Sequence, residues 1–186
     1  SYMTAVGHEA LNDNTTGQYN TAFGGRALDV NTTGDFNTAM GVNALGGNTT
    51  ATGNTAVGAW SLITNSTGDN NTAVGKEALE ASNADNNTAV GFKALEANTT
   101  GSSGTAIGAY ALKVNTTGVN NVAVGYAALF DNTTGQENTA VGKDTLANNT
   151  TANRNTAIGY AVLTTSSTGA DNTGVGHGAL YDCTTG

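Results

Sequence analysis

"NNVAVGYAALFDNTTG", residues 120–135, has the look of a low-complexity scrap of Asn, Gly, Ala and Thr, yet nearly the same string recurs along the whole 186-residue chain. Anchored on the Gly that follows the apolar residue, the copies fall at Gly7, Gly24, Gly41, Gly58, Gly75, Gly91, Gly108, Gly125, Gly142, Gly159 and Gly176. Neighbouring anchors lie 17 residues apart, except for one step of 16 between Gly75 and Gly91. The consensus is N-T-A-V-G-x-x-A-L-x-x-N-T-T-G-x-x. The quoted copy departs from it at one informative place: Val122 stands in a column that is Thr in the other ten.

A fixed period decides architecture ahead of any local propensity. Seventeen residues are too few for a helical-hairpin repeat, which takes about 33 or more, and fall below the leucine-rich range of about 20–29. They suit one coil of a parallel β-solenoid. Within a copy, N-T-A-V reads as a short alternating strand closed by Gly, A-L-x-x as a second short strand, and N-T-T-G-x-x as turn chemistry. The chain has no Pro, as stacked coils require, because each Pro would delete a ladder donor. Eleven coils at about 4.8 Å each make a rod on the order of 50 Å long. The short copy supports this division. "EASNADNN", residues 80–87, loses one residue together with the N-T-T-G signature, inside the predicted turn, where length changes are tolerated. Residues 1–186 thus read as one array of eleven coils, expected to be an excerpt of a longer fibre.

Composition narrows the function classes. With 11% charged residues and 26 Gly, the chain lacks the make-up of a broad globular core. A net charge of -8, with six Lys+Arg scattered along the sequence, makes nucleic acid a poor partner. The single Cys183 rules out an intrachain disulfide framework or a cysteine-based zinc cluster. No run of about 18 apolar residues suggests membrane insertion in this segment, and nothing in the columns calls for a cofactor or a metal.

The columns carry the remaining expectations. The last strand residue (Val6, Phe23, Met40, Val57 and their equivalents) is always apolar and is expected to face the inside of the coil. Period-two geometry then puts Thr21, Thr38 and Thr55 on that same face, beside Val122, and the intervening Ala on the other. Ala in ten copies and Gly174 in the last suggest that something approaches that other face closely. The second segment supplies a Leu in every copy, from Leu11 to Leu180. One Val and one Leu per coil are little apolar bulk against the entropy of ordering seventeen residues. Self-association through the small-residue column, closed by cyclic symmetry, is therefore expected.

A resemblance bears on this. "NNVAVG" at 120–125, with "NNTAVG" at 70–75 and 86–91, resembles the N-x-V-A-I-G repeat in head domains of trimeric autotransporter adhesins. The longer consensus is similar to repeat regions of phage tail-fibre-like proteins. The resemblance spans all eleven copies and implies a left-handed parallel β-roll assembled as a parallel homotrimer. It also implies a non-enzymatic structural or adhesive fibre segment on a cell or virion surface. The departures are the 17-residue period, Thr for the first Val, and the Leu-bearing second segment.

Candidate functional residues are few. Trp60, Phe92, Tyr110, Tyr126 and Tyr160 follow the corner Gly by one or two residues, at exposed corners suited to stacking on a host-surface glycan or packing on a partner protein. Asn14, Asn31, Asn48, Asn98, Asn115, Asn132 and Asn149 in N-T-T, and Asn65 in N-S-T, match the N-glycosylation acceptor pattern. The competing reading of these Asn is turn chemistry and side-chain ladders. The two glycine columns, the anchors above and the series from Gly17 to Gly186, read as corners rather than a phosphate loop, since no helix with a Lys-Ser/Thr pair follows. An ice-binding Thr array is disfavoured by Val122, which suits a packed column. A self-assembling extracellular filament is a further alternative. His8 and His177 stand ten coils apart, about 48 Å by strand spacing, which is incompatible with a shared catalytic site.

Overall fold

The computed structural model describes residues 2–166 and 168–183; Gly186 of the second glycine column lies outside them. Each coil contributes one strand: β1 (Thr4–Val6), β2 (Thr21–Phe23), β3 (Thr38–Met40), β4 (Thr55–Val57), β5 (Thr72–Val74), β6 (Thr88–Val90), β7 (Thr105–Ile107), β8 (Val122–Val124), β9 (Thr139–Val141), β10 (Thr156–Tyr160) and β11 (Thr173–His177). They form one eleven-stranded parallel sheet in sequence order. Register is strict: Thr stacks on Thr, Ala on Ala, and Val122 pairs with Thr105 and Thr139. The chain is an all-β parallel solenoid. Its short coil, from β5 to β6, keeps this register.

The sheet is turned the opposite way from the sequence expectation. From β2 to β10 the Ala file, including Ala22, Ala39, Ala73, Ala106, Ala123 and Ala157, is fully buried, while Phe23, Met40, Ile107 and Val175 are exposed and Thr21, Thr38 and Thr55 lie half-exposed. The reason is the width of the coil. Leu28, Leu45, Leu62, Leu79, Leu95, Leu112, Leu129, Leu146 and Leu163 project inward and fill the interior, leaving room opposite for a single methyl group per rung. What approaches the small-residue column is the chain's own Leu file, not a second copy. The last rung confirms the tightness: a Cβ built on Gly174 would stand 2.7 Å from Val162 Cγ1 and 3.6 Å from Leu180 Cδ1. Val162 replaces the usual Ala before Leu, and Gly174 makes space for it.

The second segment is not a strand, and its backbone explains why. In coil after coil the Leu has positive φ, as in Leu28 (51°), Leu45 (49°) and Leu62 (49°), and so does the residue two before it: Arg26 (57°), Asn43 (56°) and Trp60 (59°). Left-handed and right-handed residues therefore alternate, which contracts the chain out of the extended form. Such a conformation costs an L-residue about 1–2 kcal/mol. It persists because each amide is bonded to a neighbouring coil: Arg26 N–H donates to His8 O at 2.8 Å and Leu28 N–H to Ala44 O at 3.1 Å. At the strand end, Gly58 (φ +131°) turns the corner directly against Gly75, whose carbonyl carbon would lie 2.6 Å from an added Cβ. Among the described residues the second glycine column has no positive φ; neighbours press closely on it, as at Gly17, where an added Cβ would stand 2.5 Å from Gly34 O, yet Ala51, Ala84 and Ala152 take the same column as buried residues.

Two buried Asn files complete the core. Asn37 N–H donates to Asn20 Oδ1 (2.9 Å), and Asn37 Nδ2 donates to Ala51 O (2.8 Å) in the next coil. In the second file each Nδ2 serves its own turn and the preceding coil: Asn48 Nδ2 donates to Ala51 O (3.2 Å) and to Asn31 Oδ1 (2.7 Å). A coil too thin for a broad apolar core thus keeps its interior polar groups bonded along the rod axis.

Candidate functional site

Three outward walls follow from this coil. The strand wall presents two files: the strand Thr (with Val122) and the apolar residue two places on. No strand residue from β1 to β9 is charged. The strand Thr hydroxyls engage no hydrogen-bond partner within the described chain. The first Thr of the N-T-T-G turns differs: Thr32 Oγ1 donates to Thr49 O (2.9 Å), Thr99 Oγ1 to Thr116 O (2.9 Å) and Thr133 Oγ1 to Thr150 O (2.9 Å). One hydroxyl file is consumed by the rod, and the other is offered outward. The objection to a ligand or ice face that rested on an inward Thr column therefore falls.

The Asn of the N-T-T and N-S-T triplets line the third wall's interior. Asn31, Asn48, Asn65, Asn98, Asn132 and Asn149 are fully buried, Asn115 nearly so, and Asn14 half-buried. Their amides donate to the turn carbonyl three residues on, as Asn98 does to Gly101 O (2.8 Å) and Asn132 to Gly135 O (3.0 Å). In the folded coil Nδ2 of these buried residues is occupied and enclosed. The ladder is interrupted where Ser166 replaces Asn, and there Asn149 Oδ1 and Ser166 Oγ are buried without a partner.

The second wall, between the corner Gly and the residue after Leu, collects the bulky variable side chains. Of the five aromatic candidates, Trp60, Tyr126 and Tyr160 are exposed while Phe92 and Tyr110 are half-buried. Phe92 meets Tyr110 edge-on at 5.3 Å, and Tyr110 meets Tyr126 edge-on at 5.8 Å. Sequence reading missed Phe130, which joins the same cluster through Tyr110. It also missed the cations. Lys76 lies over Trp60 (5.1 Å), Lys93 over Phe92 (5.6 Å), Lys113 over Phe130 (5.4 Å) and Lys143 over Tyr160 (5.5 Å). All four lysines, scattered in sequence, share this wall: Lys76 and Lys143 directly follow the corner Gly, Lys93 follows it by two residues and Lys113 by five. On another edge Tyr2, Tyr19 and Phe36, spaced 17 apart, stack nearly parallel.

Carboxylates balance these lysines. Lys76 reaches Glu77 at 3.0 Å; Lys93 bridges Glu77 (3.0 Å) and Glu96 (2.5 Å); Lys143 reaches Asp144 (3.2 Å). The hydrogen bonds donated by Lys93 and Lys76 hold Glu77 below its ordinary carboxylate value, and donating to Glu96 and Glu77 holds Lys93 above its own. Glu80 is pushed up by burial. Carboxylate oxygens of Glu77, Glu80 and Glu96 lie within 4.8 Å of one another, but the Lys93 ammonium already supplies the cation that joins two of them. His8 follows β1 and His177 ends β11, the first and last strands of the sheet, and no pocket opens among the described residues. No family model, curated protein or solved structure matches the chain.

Proposed function

We propose that this chain is a segment of a non-enzymatic surface fibre, a rigid spacer that associates in parallel with copies of itself and carries an adhesive wall outward. The observation that carries this reading is the strand wall: an apolar file of eleven rungs, seven exposed and four half-buried, beside partnerless hydroxyls and almost free of charge. A face about 10 Å wide and about 50 Å long offers on the order of 500 Å² per copy, so two copies meeting there cover about 1,000 Å² in total, the threshold for a specific interface. Exposed apolar files of this length mark association surfaces, and Thr hydroxyls of one copy pair readily with those of the next. Three such faces around an axis give the parallel homotrimer that the adhesin-like N-x-V-A-V-G string suggests. A phage tail-fibre shaft is built on the same terms and is the alternative setting; both lie outside the cell, on a cell or virion surface.

Sedimentation equilibrium tests the reading. The wild-type segment is expected at three times the 18.5 kDa chain mass, and Val74→Lys with Val90→Lys, which places cations in the apolar file, is expected to shift it to monomer. A wild-type monomer at all concentrations overturns the proposal. If that monomer also shaped ice crystals, the outward Thr file would be the cause and ice binding the better reading.

A further inference from the structure

We propose that the two edges of the strand wall dictate how copies of the chain align: parallel and in register, with the column before the strand of one copy against the column after the corner Gly of the next. This deepens the self-association reading and rests on it. Two residues before each strand, the first three coils carry Tyr2, Tyr19 and Phe36, and the last three carry Glu137, Arg154 and Asp171. All six are exposed, and the five coils between them hold only Gly, Asn or Ser in that column. Phe23 and Met40, also exposed, extend the apolar end across the wall. The interface is thus apolar at one end of the rod and charged at the other.

Symmetry turns that polarity into a choice. A two-fold axis across the rods makes an antiparallel pair and brings each edge onto the same edge of the other copy. At full overlap Tyr2 then faces the partner's Asp171, Tyr19 the partner's Arg154 and Phe36 the partner's Glu137. The rings strip water from the Arg154–Asp171 pair, bonded at 2.6 and 2.8 Å, and from Glu137, whose carboxylate has no hydrogen bond or ion pair among the described residues. A charge buried without a partner is costly. A rotation axis along the rods instead brings the edge before the strand onto the edge after the corner Gly. In register, Tyr19 and Phe36 meet the partner's Gly25 and the partner's Val42, and Val42 is exposed on the isolated rod. Glu137 meets the partner's Lys143. The Lys143 side chain is 53% exposed although Asp144 lies 3.2 Å away, and Lys93 shows that one ammonium on this rod bridges two carboxylates. A slip of one coil sets Glu137 against Tyr126 or Tyr160 and prevents closure of a ring. In register Tyr126 faces the partner's Asn120, which is too short to cover the ring.

Distances between nitroxide labels, read by double electron-electron resonance in a Cys183→Ser background, test the orientation. Gln18→Cys lies beside the aromatic column in the second coil and Gln136→Cys beside Glu137 in the ninth; both positions are exposed. Parallel copies set two Gln18→Cys labels at one height, so a distance well below about 38 Å, the span of eight coils, is expected in samples carrying that label alone. Antiparallel copies would set those labels at least about 38 Å apart and give a short distance only when the two labelled chains are mixed, which overturns the proposal and leaves self-association standing. Register is read by charge exchange in sedimentation. Glu137→Lys and Lys143→Glu are each expected to weaken association by about tenfold, by setting like charges together, and the double exchange to recover it. The two side chains sit on opposite edges of one copy, so recovery reports a contact between copies. Single variants that associate as the wild type does, or a double variant that fails to recover, overturn the register. A monomer with no dipolar coupling in any sample sinks both this proposal and the self-association reading.

Discussion

Placing one extra pair of methyl groups inside the coil separates the two ways the sheet could face. Ala123, the middle residue of β8, is fully buried between Ala106 and Ala140 and looks onto the Leu file. The last rung shows how little space is spare, since a Cβ at Gly174 and a Val162 methyl would stand only 2.7 Å apart. Ala123→Val should therefore overpack the interior and cost about 1–3 kcal/mol. For a chain of this size, where each kcal/mol moves Tm by about 2–4 °C, that is a fall of roughly 2–12 °C. Val124→Thr, one residue later on the outward file, keeps the side-chain shape and should stay within about 0.5 kcal/mol at protein concentrations where copies of the chain are dissociated. Thermal unfolding followed by circular dichroism reads both. If Ala123→Val were tolerated while Val124→Thr lowered Tm by several degrees, the apolar file would be the buried one and the packing described here would be inverted.

Ser166→Asn should restore the interrupted ladder by giving Asn149 Oδ1 a donor, raising Tm by the equivalent of about 1–3 kcal/mol; an unchanged or lower Tm in calorimetry would refute that account of the gap. Gly58→Ala combines positive φ with a Cβ 2.6 Å from the Gly75 carbonyl carbon, so a loss above about 1–2 kcal/mol is expected, and a soluble variant of wild-type Tm would show that the corner can relax. For Glu80, burial raises the folded-state pKa, so the folded chain holds this proton more tightly and stability is lost as pH rises through the raised value. Glu80→Gln should accordingly raise Tm at neutral pH, with the gain vanishing below the ordinary carboxylate range. Glu77 runs the other way: its lowered pKa gives stability that is present above the unfolded value and lost as pH falls through the folded one, so Glu77→Gln should lower Tm at neutral pH. Equal and pH-independent effects of the two substitutions would contradict this assignment.

Much of the fold was legible because the period is a covalent fact. Equal spacing alone puts Thr on Thr, Ala on Ala and Gly on Gly, and the strict register of β1 to β11 follows from it. Which face of the strand is buried was not legible. Alternation defines two faces, and the habit of putting the larger residue inside selects the wrong one here, because Leu from the facing wall has already claimed the interior. The second segment misled for a related reason: A-L-x-x has strand-like composition, and only tertiary hydrogen bonding holds Leu28 or Leu62 at positive φ. Trp60, Tyr126 and Tyr160 could be placed on corners from their offset to Gly, whereas the four lysines occupy three columns, shared only by Lys76 and Lys143, and their convergence depends on how the wall folds back on itself. The aromatic file of Tyr2, Tyr19 and Phe36 did carry a signal, a spacing of 17, that a search of the turn columns would have found.

Met40 gives the most direct test of the central claim that the strand wall is covered by copies of the chain. Its side chain is 45% exposed on the isolated rod, comparable to Tyr126 at 51% on the second wall. Hydroxyl-radical footprinting across a dilution series should find Met40 and Phe23 protected at high protein concentration and in the Val74→Lys, Val90→Lys variant reactive throughout, with Tyr126 labelled equally in every sample. Met40 reacting at one rate at all concentrations, in wild type and variant alike, would contradict the claim that this face is an interface.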